Sequence, residues 1–178
     1  AEPVCVDTSP DFLVTPRRLE RAMGKGAALV VLNTPNNPTG RIVSARDVKA
    51  LLDGIPEDVP VLIDEAYHHF VEDPAYATSL PYVAEGRNVI VTRTFSKISG
   101  LAGMRLGYAI APRPLIARLR PHSIASINAL VKHGAAAAMK DTDGQARVRT
   151  LNNELRKKTV QAVQGMGYEV IPSEGNFF

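Results

Sequence analysis

Residues 92–108 read TRTFSKISGLAGMRLGY, and what stands on either side of them decides the fold. Immediately upstream, NVIVT (88–92) is an apolar, β-branched run of strand length, the pattern of a buried strand. At its C-terminal end stand two hydroxyls and a lysine: Thr94, Ser96 and Lys97. Gly100, Gly103 and Gly107 follow, with Arg105 among them. A lysine partly withdrawn from water at the mouth of a parallel sheet is a nucleophile that can form a Schiff base with a carbonyl. Hydroxyls and an arginine beside it make a seat for a phosphate. The combination points to a ligand carrying both an aldehyde and a phosphate, and pyridoxal 5′-phosphate (PLP) is such a ligand.

Working upstream, the same grammar repeats twice. The run VPVLI (59–63) reads as a buried strand and delivers Asp64, Glu65, Ala66 and Tyr67 at its end. The run AALVVL (27–32) reads as another and feeds NTPNNPTG (33–40). Helices fall between them. Thr15-Pro16 is a helix start, with a helix expected over 16–23. Ser44 opens a second over 45–53, stopped by Gly54. A short third is expected over 80–85. Downstream come a strand at 106–111 and a short helix at 112–120. Two longer helices are expected over 123–140 and 145–166, separated by Asp141-Thr142-Asp143-Gly144, and a last strand over 167–171. Strands alternating with helices imply an α/β fold, a mostly parallel sheet with helices on both faces.

Composition sets the class. The 178 residues suit one domain, and 45% hydrophobic with 22% charged residues is ordinary for a globular protein. The net charge of +3 is spread along the chain, so nothing argues for nucleic acid. A lone Cys5 rules out an internal disulfide and implies a reducing compartment. No stretch is long and apolar enough to span a bilayer, and the first residues lack the layout of a signal peptide. A cytoplasmic protein is expected.

In open α/β sheets, ligands bind beyond the C-terminal ends of the strands. Three such ends carry polar residues here, and each residue type suits PLP chemistry. Lys97 would hold the cofactor and move the substrate's proton. Asp64 would face the pyridine nitrogen and keep it protonated. Tyr67 and Asn37 would donate hydrogen bonds to the ring's phenolate oxygen. Thr94, Ser96 and Arg105 would hold the phosphate, the planar fork of Arg105 binding it in two places. Taken singly, Asp64 could cap the turn after its strand, Tyr67 could be core, and Asn37 could be turn chemistry. Their joint appearance, each after a buried strand, is the stronger signal.

The stretches NTPNNPTG (33–40), IDEAYHHF (63–70) and RTFSKISGLAGMRLGY (93–108) resemble the fold-type I PLP enzymes of the class I/II aminotransferase family, and most closely the histidinol-phosphate aminotransferase branch. The resemblance carries the same roles to Asn37, Asp64, Tyr67, Lys97 and Arg105. It implies transfer of an amino group between an amino acid and a 2-oxo acid, in a homodimer with sites at the subunit interface. Family members are longer, with a glycine-rich loop upstream and a small domain downstream that grips the substrate carboxylate. Residues 1–166 are therefore expected to be the central part of a PLP-binding large domain, and 167–178 the start of the small domain.

The chain also departs from the branch. His68-His69 stands where the branch often carries a glutamate, and RPHSIASIN (121–128 with Arg120) replaces its usual asparagine-rich segment. Histidinol phosphate and an aromatic amino acid are both left open as substrates. Adjacent histidines point different ways on a regular element, so no metal pair is expected. Two alternatives share the motifs: a PLP-dependent decarboxylase or lyase, and a regulator domain that senses PLP without turnover.

Overall fold

A computed structural model describes residues 2–23, 26–123 and 126–178. Its centre is a four-stranded sheet in the order β1 (Val30–Asn33), β2 (Val61–Asp64), β3 (Val89–Thr94), β4 (Gly107–Ile110). The first three strands run parallel, and β4 is antiparallel to β3. The sheet is thus mixed but mostly parallel, and the α/β architecture is the one implied by the alternating pattern.

The register explains the core. Val30 pairs with Val61 and Val61 with Val89; Leu32 pairs with Ile63 and Ile63 with Val91. Strand side chains alternate between faces, so these residues share one face. On it sit α1 (Pro16–Met23) through Leu19 and α2 (Ala45–Gly54) through Val48, Leu51 and Leu52. Leu80 and Val83 of α3 (Leu80–Ala84) close the cluster. The opposite face carries Val31, Leu62 and Ile90 in the same register.

Local chemistry sets the helix ends. The Ser44 hydroxyl accepts the Asp47 backbone N–H at 3.1 Å and donates to the Asp47 carboxylate at 2.8 Å, capping α2. After β4 come α4 (Arg113–Leu119), α5 (Ala129–Lys140) and α6 (Thr142–Gly165).

Three expectations are corrected. The helix expected over 123–140 begins only at Ala129, because the Asn128 side chain accepts the Leu130 N–H at 2.8 Å and caps it there; residues 124–125 of that expectation lie outside the described residues. The separator expected over 141–144 shrinks to Asp141. Its carboxylate accepts the Gly144 N–H at 3.0 Å, so Asp141 caps α6 and the next residues are its first turn. A β-carbon at Gly144 would overlap that carboxylate, which is why glycine fits a helical turn here. No strand forms over 167–171: a strand needs a hydrogen-bonded neighbour, and no described strand pairs with this segment.

Candidate functional site

The parallel register aligns the ends of three strands. Asn33 lies beside Asp64, and Asp64 beside Thr92. The loops that leave these ends therefore rise from one edge of the sheet, and β4 returns to that edge with Gly107 opposite Thr94.

Tyr67 is the hub. It is buried at the start of a short 3₁₀ turn, His68–Phe70, packed with Phe70 and Ile98. Its hydroxyl accepts a hydrogen bond from Asn37 Nδ2 at 3.0 Å, which joins loops thirty residues apart. The Lys97 Nζ lies 5.0 Å from the centroid of the Tyr67 ring, within cation–π range. Asn37 and Lys97 thus both meet Tyr67. The phenol's own proton is free to point outward, because Asn37 supplies the donor in their bond.

Asp64 stands at the neighbouring strand end, where its carboxylate accepts the Ala66 N–H at 3.0 Å. It therefore does cap the turn that follows β2. One carboxylate oxygen is engaged, and the other makes no hydrogen bond among the described residues. Thr94 and Ser96 are also together: the Thr94 hydroxyl accepts the Ser96 N–H at 3.0 Å. Arg105 is not drawn into this group. It adopts a left-handed conformation, φ 51°, closing the 3₁₀ turn Ala102–Met104, and its exposed guanidinium donates to the Ala102 carbonyl at 2.7 Å.

A buried polar network behind the site escaped the sequence reading. Glu65, fully buried, accepts Arg93 Nη2 at 2.7 Å and Nε at 3.2 Å, the Thr78 hydroxyl at 2.8 Å and the Ser79 N–H at 2.6 Å. Arg93 also donates to Thr78 at 2.8 Å. This network fastens the end of β2 to the end of β3, next in sequence to Asp64 and four residues before Lys97. Both charged residues lay inside the stretches that drew attention, and β2–β3 register alone would have set them side by side. Burial and the Glu65 carboxylate push the Tyr76 phenol far above its usual range, so it is a neutral neighbour of the pair.

His68 and His69 are half-buried, with one ring nitrogen each lacking a partner among the described residues. Burial, the neighbouring imidazole and Arg93 lower His68 to about 3. Burial and Arg93 lower His69 to about 4. Both are neutral at physiological pH. Among the described residues no group of three metal-binding side chains gathers.

The donor set can be tested against PLP. Such a group needs an amine for its aldehyde, a carboxylate for its ring nitrogen, donors for its ring oxygen and a polar cradle for its phosphate. Lys97, Asp64 and the Tyr67–Asn37 pair meet the first three on adjacent strand ends. For the fourth, the Ser96 hydroxyl has no hydrogen-bond partner among the described residues and Thr94 stands beside it, whereas Arg105 is turned to the Ala102 carbonyl. The residues fit the group.

Comparison with known proteins bears on the chain as a whole. Residues 1–178 match the family model described as aminotransferase class I and II. Over 157 residues the chain is 39% identical to a histidinol-phosphate aminotransferase of Akkermansia muciniphila, covering 88% of this chain and 43% of that protein. Over 152 residues it is 41% identical to histidinol-phosphate aminotransferase 1 of Caulobacter vibrioides, covering 84% and 42%. It superposes with a TM-score of 0.85 and 30% identity on the Sinorhizobium meliloti histidinol-phosphate aminotransferase crystallised with pyridoxal-5′-phosphate, covering 97% of this chain and 47% of that one. The chain thus spans less than half the length of these relatives.

Proposed function

The chain belongs to the aminotransferase class I and II family, and from that premise we propose that it binds PLP and transfers amino groups between an amino acid and a 2-oxo acid. The observation that carries this reading is the meeting of Asn37, Tyr67 and Lys97 beside Asp64 at one sheet edge. When bound, the cofactor supplies an electron-withdrawing ring that stabilises negative charge at the substrate's α-carbon.

The chain's own residues do the rest. Lys97 would anchor the cofactor, and its freed amine would carry the proton between the substrate's α-carbon and the cofactor. Asp64 holds a proton on the ring nitrogen by its opposite charge. The Tyr67 hydroxyl and the Asn37 amide orient the ring through its oxygen. Thr94, Ser96 and Arg105 receive the phosphate, which requires the Arg105 side chain to turn from Ala102. The relatives named above support histidinol phosphate as the amino donor. The proposed enzyme is a homodimer in the cytoplasm, acting on small molecules. That placement follows the family resemblance and the free, exposed Cys5; among the described residues no helix is long and apolar enough to cross a membrane.

The test uses the product of the complete reading frame. Borohydride reduction in the presence of PLP, followed by peptide mapping, should place a phosphopyridoxyl group on Lys97 and none in Lys97→Ala. Incubation with an amino acid should then convert the cofactor to pyridoxamine phosphate. Absence of the adduct overturns the cofactor, and release of carbon dioxide in place of pyridoxamine phosphate overturns transamination in favour of decarboxylation.

A further inference from the structure

The segment SEGNFF (173–178), expected above only as part of the start of a small domain, was given no role at the site, yet it packs against the loops that supply Asn37 and Tyr67. Ser173 folds it into a compact turn: its hydroxyl donates to the Phe177 carbonyl at 2.6 Å and accepts the Gly175 N–H at 3.1 Å. The turn is then fastened at three places. The Glu174 N–H donates to the Gly40 carbonyl at 2.9 Å, tying it to the loop that carries Asn37. The Glu174 carboxylate accepts the Glu72 N–H at 2.7 Å, tying it to the segment that follows Tyr67. Arg156, largely buried on α6, donates to the Gly175 carbonyl.

Two details show a fitted contact. Gly40 has φ 69°, and a β-carbon there would lie 2.7 Å from the Ser173 Cα. Only glycine lets the two segments approach so closely. At the other end of the turn, the Phe177 ring stands edge-on to the Tyr67 ring, centroids 5.0 Å apart and planes at 80°. This is a favoured aromatic geometry. Phe177 thereby joins the cluster of Tyr67, Phe70 and Ile98.

We propose that residues 173–177 are a clasp for the site, and that Phe177 is a positioning residue for Tyr67. The two loops that supply Asn37 and Tyr67 are far apart in sequence, and the hydrogen bond between their side chains is direct. The clasp holds both loops at once and fixes the tilt of the Tyr67 ring. That tilt sets where the phenol meets Asn37 and whatever lies in front of it. The inference rests on the functional reading above for its consequence, but the clasp itself is a property of this chain.

The experiment compares Phe177→Leu and Phe177→Tyr, each alone and in the Tyr67→Phe background, in the product of the complete reading frame. The adduct on Lys97 is checked first in the unaltered protein, so that failure of the cofactor reading is seen separately. The pH midpoint of the bound cofactor's visible absorbance is then measured. Weakening a hydrogen bond to the ring oxygen disfavours its charged form and raises the midpoint. Phe177→Leu should raise it by about half a pH unit, and Phe177→Tyr should leave it in place. In the Tyr67→Phe background, Phe177→Leu should add nothing. An unchanged midpoint in Phe177→Leu, or a shift fully additive with Tyr67→Phe, overturns the proposal. Without cofactor, the Asn37 side-chain amide resonance should move in Phe177→Leu and hold in Phe177→Tyr; an unmoved resonance overturns the clasp even if PLP does not bind.

Discussion

The strand-bearing region, residues 30–98, and the two long helices α5 and α6 are built on opposite terms. In the first, every second residue of the three parallel strands is sealed against α1, α2 and α3, and a fully buried glutamate has four donors. In the second, only Ala135, Gly144 and Asn153 are buried along both helices, and Leu130 is 79% exposed. One region completes its core with its own residues; the other presents apolar side chains that this chain leaves uncovered. A residue's worth to the isolated fold should therefore depend sharply on which region holds it. The site lies on the closed region, except for Arg105, the contacts from α6 and the clasp.

The sharpest way to break this contrast is to open the closed region at its polar centre. Glu65→Ala leaves the Arg93 guanidinium, 12% exposed, beside a void with its main counter-charge gone. Removing one partner of a buried pair costs about 3–5 kcal/mol, because the remaining charge stays desolvated. Urea denaturation should show a loss of that size. A loss below about 1 kcal/mol would mean that water reaches Arg93 and that the region is not closed. If the cofactor reading holds, the same variant should also disturb Lys97, since Glu65 and Arg93 fix the strand ends that carry Asp64 and Lys97.

This network also marks the limit of what the sequence disclosed. The three buried strands were legible from apolar runs, and their polar ends followed from the rule that ligands gather there. Asn37, Tyr67 and Lys97 stood out in this way, and the structure sets both Asn37 and Lys97 against Tyr67. Glu65 and Arg93 sat among the same motifs unassigned, because charge type alone suggests a solvated surface and burial depends on partners distant in sequence. The clasp was invisible for the same reason: Phe177 reaches Tyr67 across more than a hundred residues. The strand expected over 167–171 misread an apolar run whose hydrogen-bonding neighbour is not among the described strands. The helix starts at Ala129 and Thr142 turned on single side-chain caps, which composition does not rank.

Acid sharpens the contrast from another side. His68 and His69 belong to the closed region, and both are held neutral, at about 3 and about 4. Unfolded, each titrates near 6.5. Between these values the unfolded chain binds more protons than the folded one, so stability falls as pH falls from about 6.5 toward 4. From pH 7 to 5, His68 alone should account for about 2 kcal/mol of loss. Denaturation midpoints of the unaltered protein and His68→Gln, compared at the two pH values, check it. The variant should keep the greater share of its pH 7 stability at pH 5, while parallel losses would show that His68 is already solvated.

The smallest effect is the most telling about the open region. Leu155 faces outward from α6, 52% exposed. A leucine in a sealed core loses about 2–5 kcal/mol on truncation to alanine. A surface position away from caps and cavities changes stability by about 0.5 kcal/mol or less, and alanine is the better helix former. Leu155→Ala should therefore leave the melting of the 178-residue chain nearly unchanged, or raise it slightly. The same substitution in the product of the complete reading frame makes the comparison decisive. If it costs more there, the exposed face of α6 is covered by residues outside this chain or by a second copy. If it costs nothing in either, that face is open to water in the working protein, and α6 serves the site only through Asn153, Arg156 and Lys157. These three ride its other side, where they hold the Phe70 carbonyl, the Gly175 carbonyl and the Glu72 carboxylate.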